Sequence, residues 1–128
     1  VMTNQFYAYE RGTARYDTNR PLYWDGMVGL MYPSDFGYAA GNSCVTGTDP
    51  YNYGGGCKNK DWLYISNTYQ WLMSPSSGRS FNAFAVSSSG DVGLSVYPAS
   101  SVRPVFYLTS SASITDGEGS STNPYILS

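Results

Sequence analysis

Nowhere in these 128 residues does an apolar stripe persist at helical spacing, and there is no heptad pattern and no internal repeat. All-α architectures and solenoids are thereby left without support. The apolar residues come in short runs separated by Gly, Ser, Asn and Pro, a pattern of short strands and ordered loops.

Gln5 to Glu10, with Phe6, Tyr7 and Tyr9, reads as an opening strand. Met27 to Tyr32 is a compact apolar run. Pro33-Ser34-Asp35 then starts a short helix, with Ser34 or Asp35 satisfying its first free N–H groups, and Gly41 ends it after Phe36 to Ala40. Lys60 to Ile65 fits either a second short helix or a buried turn. Trp71-Leu72-Met73 is a strand ended by Ser74-Pro75, and Phe81 to Ser87 and Val92 to Val96 are the arms of a hairpin around Ser88 to Asp91. Val102 to Leu108 is the strongest strand, with Pro104 marking an edge or a bulge near its start. Ser113 to Thr115 leads through Asp116-Gly117-Glu118-Gly119 to a last strand ending at Leu127. Small antiparallel sheets with one or two short helices and long ordered loops make an α+β fold of one domain.

Composition then narrows the function classes. Charged residues are 12% of the chain, about half the usual ~25%, while 13 Tyr and 14 Gly are present and the formal net charge is −2. Disordered polyelectrolytes have the opposite balance. Seven scattered cations do not form the basic face that nucleic acid requires. No apolar run reaches the ~18 residues of a membrane span. The absence of His removes the commonest general base and metal ligand. The chain opens at Val1 and not at Met, nothing near Val1 reads as a signal peptide, and we expect a piece of a longer exported protein.

Cys44 and Cys57 flank a Gly-, Asn- and Asp-Pro-rich stretch. Two unpaired thiols are one reading. A disulfide closing an exposed loop is the favoured one, since free thiols there would be a liability in an oxidising compartment. Two thiolates without His or a second Cys pair do not complete a tetrahedral zinc site.

The segments GLMYPSDFGYAAG, the two cysteines, DWLY, YQWLMSP, AFAVSSSGDV, SVRPVFYL and TDGEGSSTNPYIL follow one another in an order that resembles a family of gut Firmicutes surface proteins, often carried behind a prepilin-type segment. From Trp71 to Leu108 the order is also similar to the C-type-lectin-like fold of the formylglycine-generating-enzyme type, which retroelement-diversified variable proteins use for display. The resemblance implies paired chain ends and a loop-rich face shown to solvent. It implies no ligand by itself.

An enzymatic reading fails on the residues. The formylglycine-generating enzymes hold copper on two cysteines late in the chain, and Cys44 and Cys57 precede the Trp71 element. Ser lacks a matching base, and Lys58 and Lys60 lie in a polar loop without a Ser motif. Asp116 and Glu118 read as a solvated turn; a calcium site there would need six to eight oxygens, of which the turn offers two carboxylates. No cofactor or metal is therefore expected.

Recognition fits better. Tyr, Ser, Gly and Asn dominate antibody-like paratopes because Tyr supplies contact area at low entropy cost and small polar residues adapt. On the face that the resemblance would display, the candidate ligand contacts are Tyr69, Arg79, Phe81, Asn82, Ser87, Ser89, Asp91, Leu94 and Tyr97. Strand alternation puts Phe84 and Val86 toward the core, leaving Phe81 either exposed or plugged under a loop. Trp24, Trp62 and Trp71 read as core, Tyr32, Tyr38 and Tyr107 as core or loop pegs, and Arg103 as a partly buried partner of a carboxylate. The expected function is a surface-displayed, adhesin-like module that binds a protein or glycan; the alternative is the globular head of a pilin-like subunit packed against other pilus subunits.

Overall fold

A computed structural model describes residues 1–12, 25–76, 79, 81–95, 100–119 and 122–128. The chain is mixed α+β, with several small antiparallel sheets, and among the described residues it carries more helix than the sequence suggests.

The opening segment is a helix, α1 (Thr3–Glu10), and not a strand. Three aromatics in four positions imitate a strand, but the residues actually buried are Thr3 and Phe6, one helical turn apart. The Gln5 side chain accepts from the Met2 N–H at 2.8 Å and so fixes the start. A two-residue strand, β1 (Gly29–Leu30), precedes α2 (Pro33–Ala39). Pro33 occupies the first turn, where its missing N–H costs nothing, and Asp35 accepts from the Tyr32 N–H at 2.8 Å. The Ser34 hydroxyl turns away from capping and donates to Glu10. Gly41, at φ +86°, takes the left-handed conformation that ends α2.

The cysteine stretch is a chain of short helical turns rather than an open loop: α3 (Asn42–Val45), a 3-10 turn (Pro50–Asn52) and α4 (Gly54–Lys58). A disulfide joins Cys44 to Cys57, and both half-cystines are buried. Lys60 to Ile65 is a turn: Asp61 accepts the Leu63 N–H at 2.9 Å through its side chain and the Tyr64 N–H at 3.1 Å through its carbonyl.

β2 (Gln70–Pro75), β3 (Ala83–Val86) and β4 (Val92–Ser95) form an antiparallel sheet with β3 in the middle. The register pairs Trp71 with Ala85 and Pro75 with Ala83, so β2 advances four residues where β3 advances two, a bulge that bends β2. On its other side β2 is held by the Met73 N–H on the Met31 carbonyl at 2.9 Å and the Trp71 N–H on the Ser101 carbonyl at 3.0 Å. Phe6, Met31, Phe36, Cys44, Tyr53, Leu72, Val86 and Val92 meet in one core between the helices and this sheet. Tyr53 is its centrepiece, donating its hydroxyl to the Gly37 carbonyl at 2.7 Å. Burial, then the charge of Asp61, pushes that phenol up to about 12.

Several expectations are corrected. Only β5 (Pro104–Val105) of the segment Val102 to Leu108 is paired, against β1. Pro104 lacks a donor, and Arg103 turns inward to donate to the Leu63 carbonyl at 2.9 Å rather than to a carboxylate side chain. The chain ends do not pair with each other: β7 (Ile126–Leu127) pairs with β6 (Ile114–Asp116), and the Val1 ammonium meets Asp49 at 2.8 Å. Trp62 is exposed, since burying Asp61 in the same tight turn rotates its neighbour outward, and Trp71 is half-buried. Trp24 lies outside the described residues. Tyr38 and Tyr107 are exposed and Tyr32 is half-buried. Ala85 is buried together with Val86, because the central strand is covered on both faces.

Candidate binding surface

The candidate contacts divide between the two ends of β3. At one end, Ser87, Ser89 and Asp91 are engaged with one another: the Ser89 hydroxyl donates to Asp91 at 2.8 Å, and the Ser87 oxygen accepts the N–H groups of Ser89 and Asp91, both at 3.2 Å. The second carboxylate oxygen of Asp91 accepts the Tyr53 N–H at 2.9 Å, which ties this turn to the core. Gly90, at φ +92°, lies so close to Lys58 and Tyr64 that a β-carbon would fall 2.9 Å from the Lys58 side chain. Tyr69 stands at the same end, beside the Gln70–Val86 pair, its carbonyl accepting from the Ser101 N–H at 2.7 Å. These hydrogen bonds brace the turn.

At the other end, the bend between β2 and β3 carries Arg79 and Phe81. Phe81 is 73% exposed and Arg79 is also exposed. Asn82, in contrast, is buried: its N–H donates to the Arg79 carbonyl at 3.1 Å and its carbonyl accepts from the Ser76 N–H at 3.0 Å, so it shapes the bend and offers no outward contact. At ~3.3 Å per residue, Phe81 and Ser87 are about 20 Å apart, too far to act as one small site. Leu94 stands opposite Phe84 in the ladder, and Tyr97 lies outside the described residues.

A second aromatic surface escaped the sequence reading. On α1 and α2, the Arg11 guanidinium lies 4.5 Å from the Tyr32 ring centre and 5.2 Å from that of Tyr7, with Asp35 at 3.8 Å. Tyr7 meets Tyr38 edge to face at 6.0 Å. Burial opposes the Arg11 cation, but Asp35, Tyr107, Glu10 and Tyr32 outweigh it and raise its affinity for the proton. Beneath it, burial raises the Glu10 carboxyl against the lowering influence of its hydrogen bonds from Ser34. The signal was the spacing Tyr7 to Arg11, i to i+4, which brings two residues together only on a helix.

No three His, Cys, Asp or Glu side chains converge as metal ligands among the described residues. No described helix is long and apolar enough to cross a membrane. No family model matches the chain, and comparison with curated proteins and with solved structures finds no match.

Proposed function

We propose that this chain is an extracellular, surface-displayed binding module that recognises a protein or glycan through the bend between β2 and β3. The observation that carries the reading is Phe81, 73% exposed and two residues from an exposed Arg79, on a bend rooted in a core sheet. Aromatic residues and Arg are both enriched at interface contact anchors. The Cys44–Cys57 disulfide supports an oxidising compartment. The resemblance to Firmicutes surface proteins and to C-type-lectin-like display scaffolds points the same way.

The test is the double variant Phe81→Ala/Arg79→Ala, compared with the parent on an array of host-type and bacterial glycans and immobilised extracellular-matrix proteins. We expect binding by the parent to drop at least about tenfold with an unchanged melting temperature, because both side chains sit outside the core. Undiminished binding, or filament formation by the parent through this same bend, refutes the assignment.

A further inference from the structure

The segment after β5 is an unfinished sheet edge. Val102 to Leu108 has the highest strand propensity in the chain, yet pairing stops at Leu30–Pro104 and Gly29–Val105. Phe106, Tyr107 and Leu108 are 60%, 84% and 53% exposed, and their backbone groups hydrogen-bond to no other described residue. Natural edges of this kind are ordinarily blunted by a charged side chain. None occurs from Pro104 to Ser113, and the one cation just before this stretch, Arg103, is turned inward onto the Leu63 carbonyl.

Beside the same edge lies an open groove of about 420 Å³ lined by Val28, Gly29, Leu30, Met73, Val102 and Pro104, with almost no polar surface. Gly29 keeps it open on one side, since a β-carbon there would fall 2.4 Å from the Met73 methyl.

We propose that this edge is an interface with a second copy of the chain, the two segments pairing antiparallel about Tyr107. Three considerations favour that occupant. First, a two-fold pairing centred on Tyr107 sets Phe106 opposite the second copy's Leu108 and leaves donor-less Pro104 at the margin. Second, self-pairing brings no like charges together, because the stretch is neutral and the chain carries a net charge of only −2. Third, the exposed parts of Val102, Phe106, Tyr107 and Leu108 amount to on the order of 500 Å² per copy, so the pair buries about 1,000 Å², the lower limit of a specific interface. An interface at this lower limit of size fits weak, reversible self-association. The surface is separate from the bend at Phe81, and it stands whether or not that bend binds a ligand.

The experiment is sedimentation equilibrium of the full 128-residue chain together with concentration-dependent amide exchange. Dimerisation in the micromolar range is expected, with the amides of residues 106 to 108 protected more strongly as concentration rises. Phe106→Lys/Leu108→Lys, both outside the core and therefore foldable, should weaken the dimer at least about tenfold, whereas Phe81→Ala/Arg79→Ala should leave it intact. A monomer at about 200 µM, or a dimer whose affinity the lysine variant leaves unchanged, or exchange at 106 to 108 that ignores concentration, overturns the proposal.

Discussion

Asn in place of Asp61 should make the protein more stable at neutral pH. Asp61 is 6% exposed, and one carboxylate oxygen accepts the Leu63 N–H while the other has no partner among the described residues. Burial pushes its carboxyl up from 3.8 to about 6, against the lowering effects of the Leu63 and Tyr64 N–H groups and of Arg103. The folded state therefore holds this proton more tightly than the unfolded chain does. Between pH 3.8 and about 6 the native form is protonated at Asp61 and the unfolded form is not, so stability falls as pH rises through this window. The full shift of ~2 units corresponds to ~3 kcal/mol. Exposed Lys60 and Trp62 on either side admit solvent, and screening reduces this to about 1–2 kcal/mol.

Asn stands in for the protonated acid: its carbonyl still accepts the Leu63 N–H, and no charge is left in the interior. Urea unfolding followed by Trp fluorescence should show parent stability declining by that amount between about pH 4 and about pH 7, while Asp61→Asn lacks this component and gains about 1–2 kcal/mol at pH 7. Glu10, also raised, adds a decline of the same sign in both proteins, so the difference between the two curves isolates Asp61. Curves that run parallel, or a variant less stable than the parent at neutral pH, would mean that Arg103 and the backbone donors outweigh burial.

Two further substitutions probe the scaffold. Cys44→Ala/Cys57→Ala should lower unfolding stability by about 3 kcal/mol, read as a shift in the urea midpoint, since the closed loop spans 13 residues of separation. Gly37→Ala should destabilise by about 2 kcal/mol, although Gly to Ala within a helix ordinarily gains up to ~1 kcal/mol, because the new methyl would fall 2.3 Å from the buried Thr3 hydroxyl where α1 crosses α2; a higher melting temperature would show that the two helices part easily.

The second half of the fold was largely legible and the first half was not, for a definite reason. The β3–β4 hairpin, the bounds of α2 and the closing β6–β7 pair are set by neighbours in sequence: Gly90 with its positive φ, Pro33 and Asp35 at a helix start, Gly117 in a turn. The helix α1 depends on a distant partner. Its burial of Thr3 and Phe6 makes sense only with α2 and Phe84 in place, and Phe84 meets the Phe6 ring edge to face at 5.4 Å. Val102 to Leu108 failed in the opposite sense: local propensity is high, but the pairing partner β1 is only two residues long. For the site, strand alternation identified Phe81 as exposed or plugged, and only tertiary packing decides between them. The same packing gives Ser87, Ser89 and Asp91 hydrogen-bond partners within the turn, which strand alternation does not reveal.

The low charge of the chain connects these findings. A small domain with the common share of Lys and Glu would place charges on its edges and loop tips, and both would be silent. Here 12% charged residues leave much of the described surface to aromatic and aliphatic groups, and several of the charges present are taken up internally, Arg11 by Asp35 and two rings, Arg103 by Leu63, Glu10 by Ser34. Among the exposed large apolar side chains are Phe81 at one place and Phe106 to Leu108 at another. One is an exposed ring two residues from an exposed cation, suited to docking in a partner's pocket; the other is a neutral strand edge, suited to continuing a sheet. A single added lysine should separate the two proposed roles: at residue 106 it is expected to weaken self-association and leave ligand binding unchanged, and at residue 81 to weaken ligand binding and leave self-association unchanged.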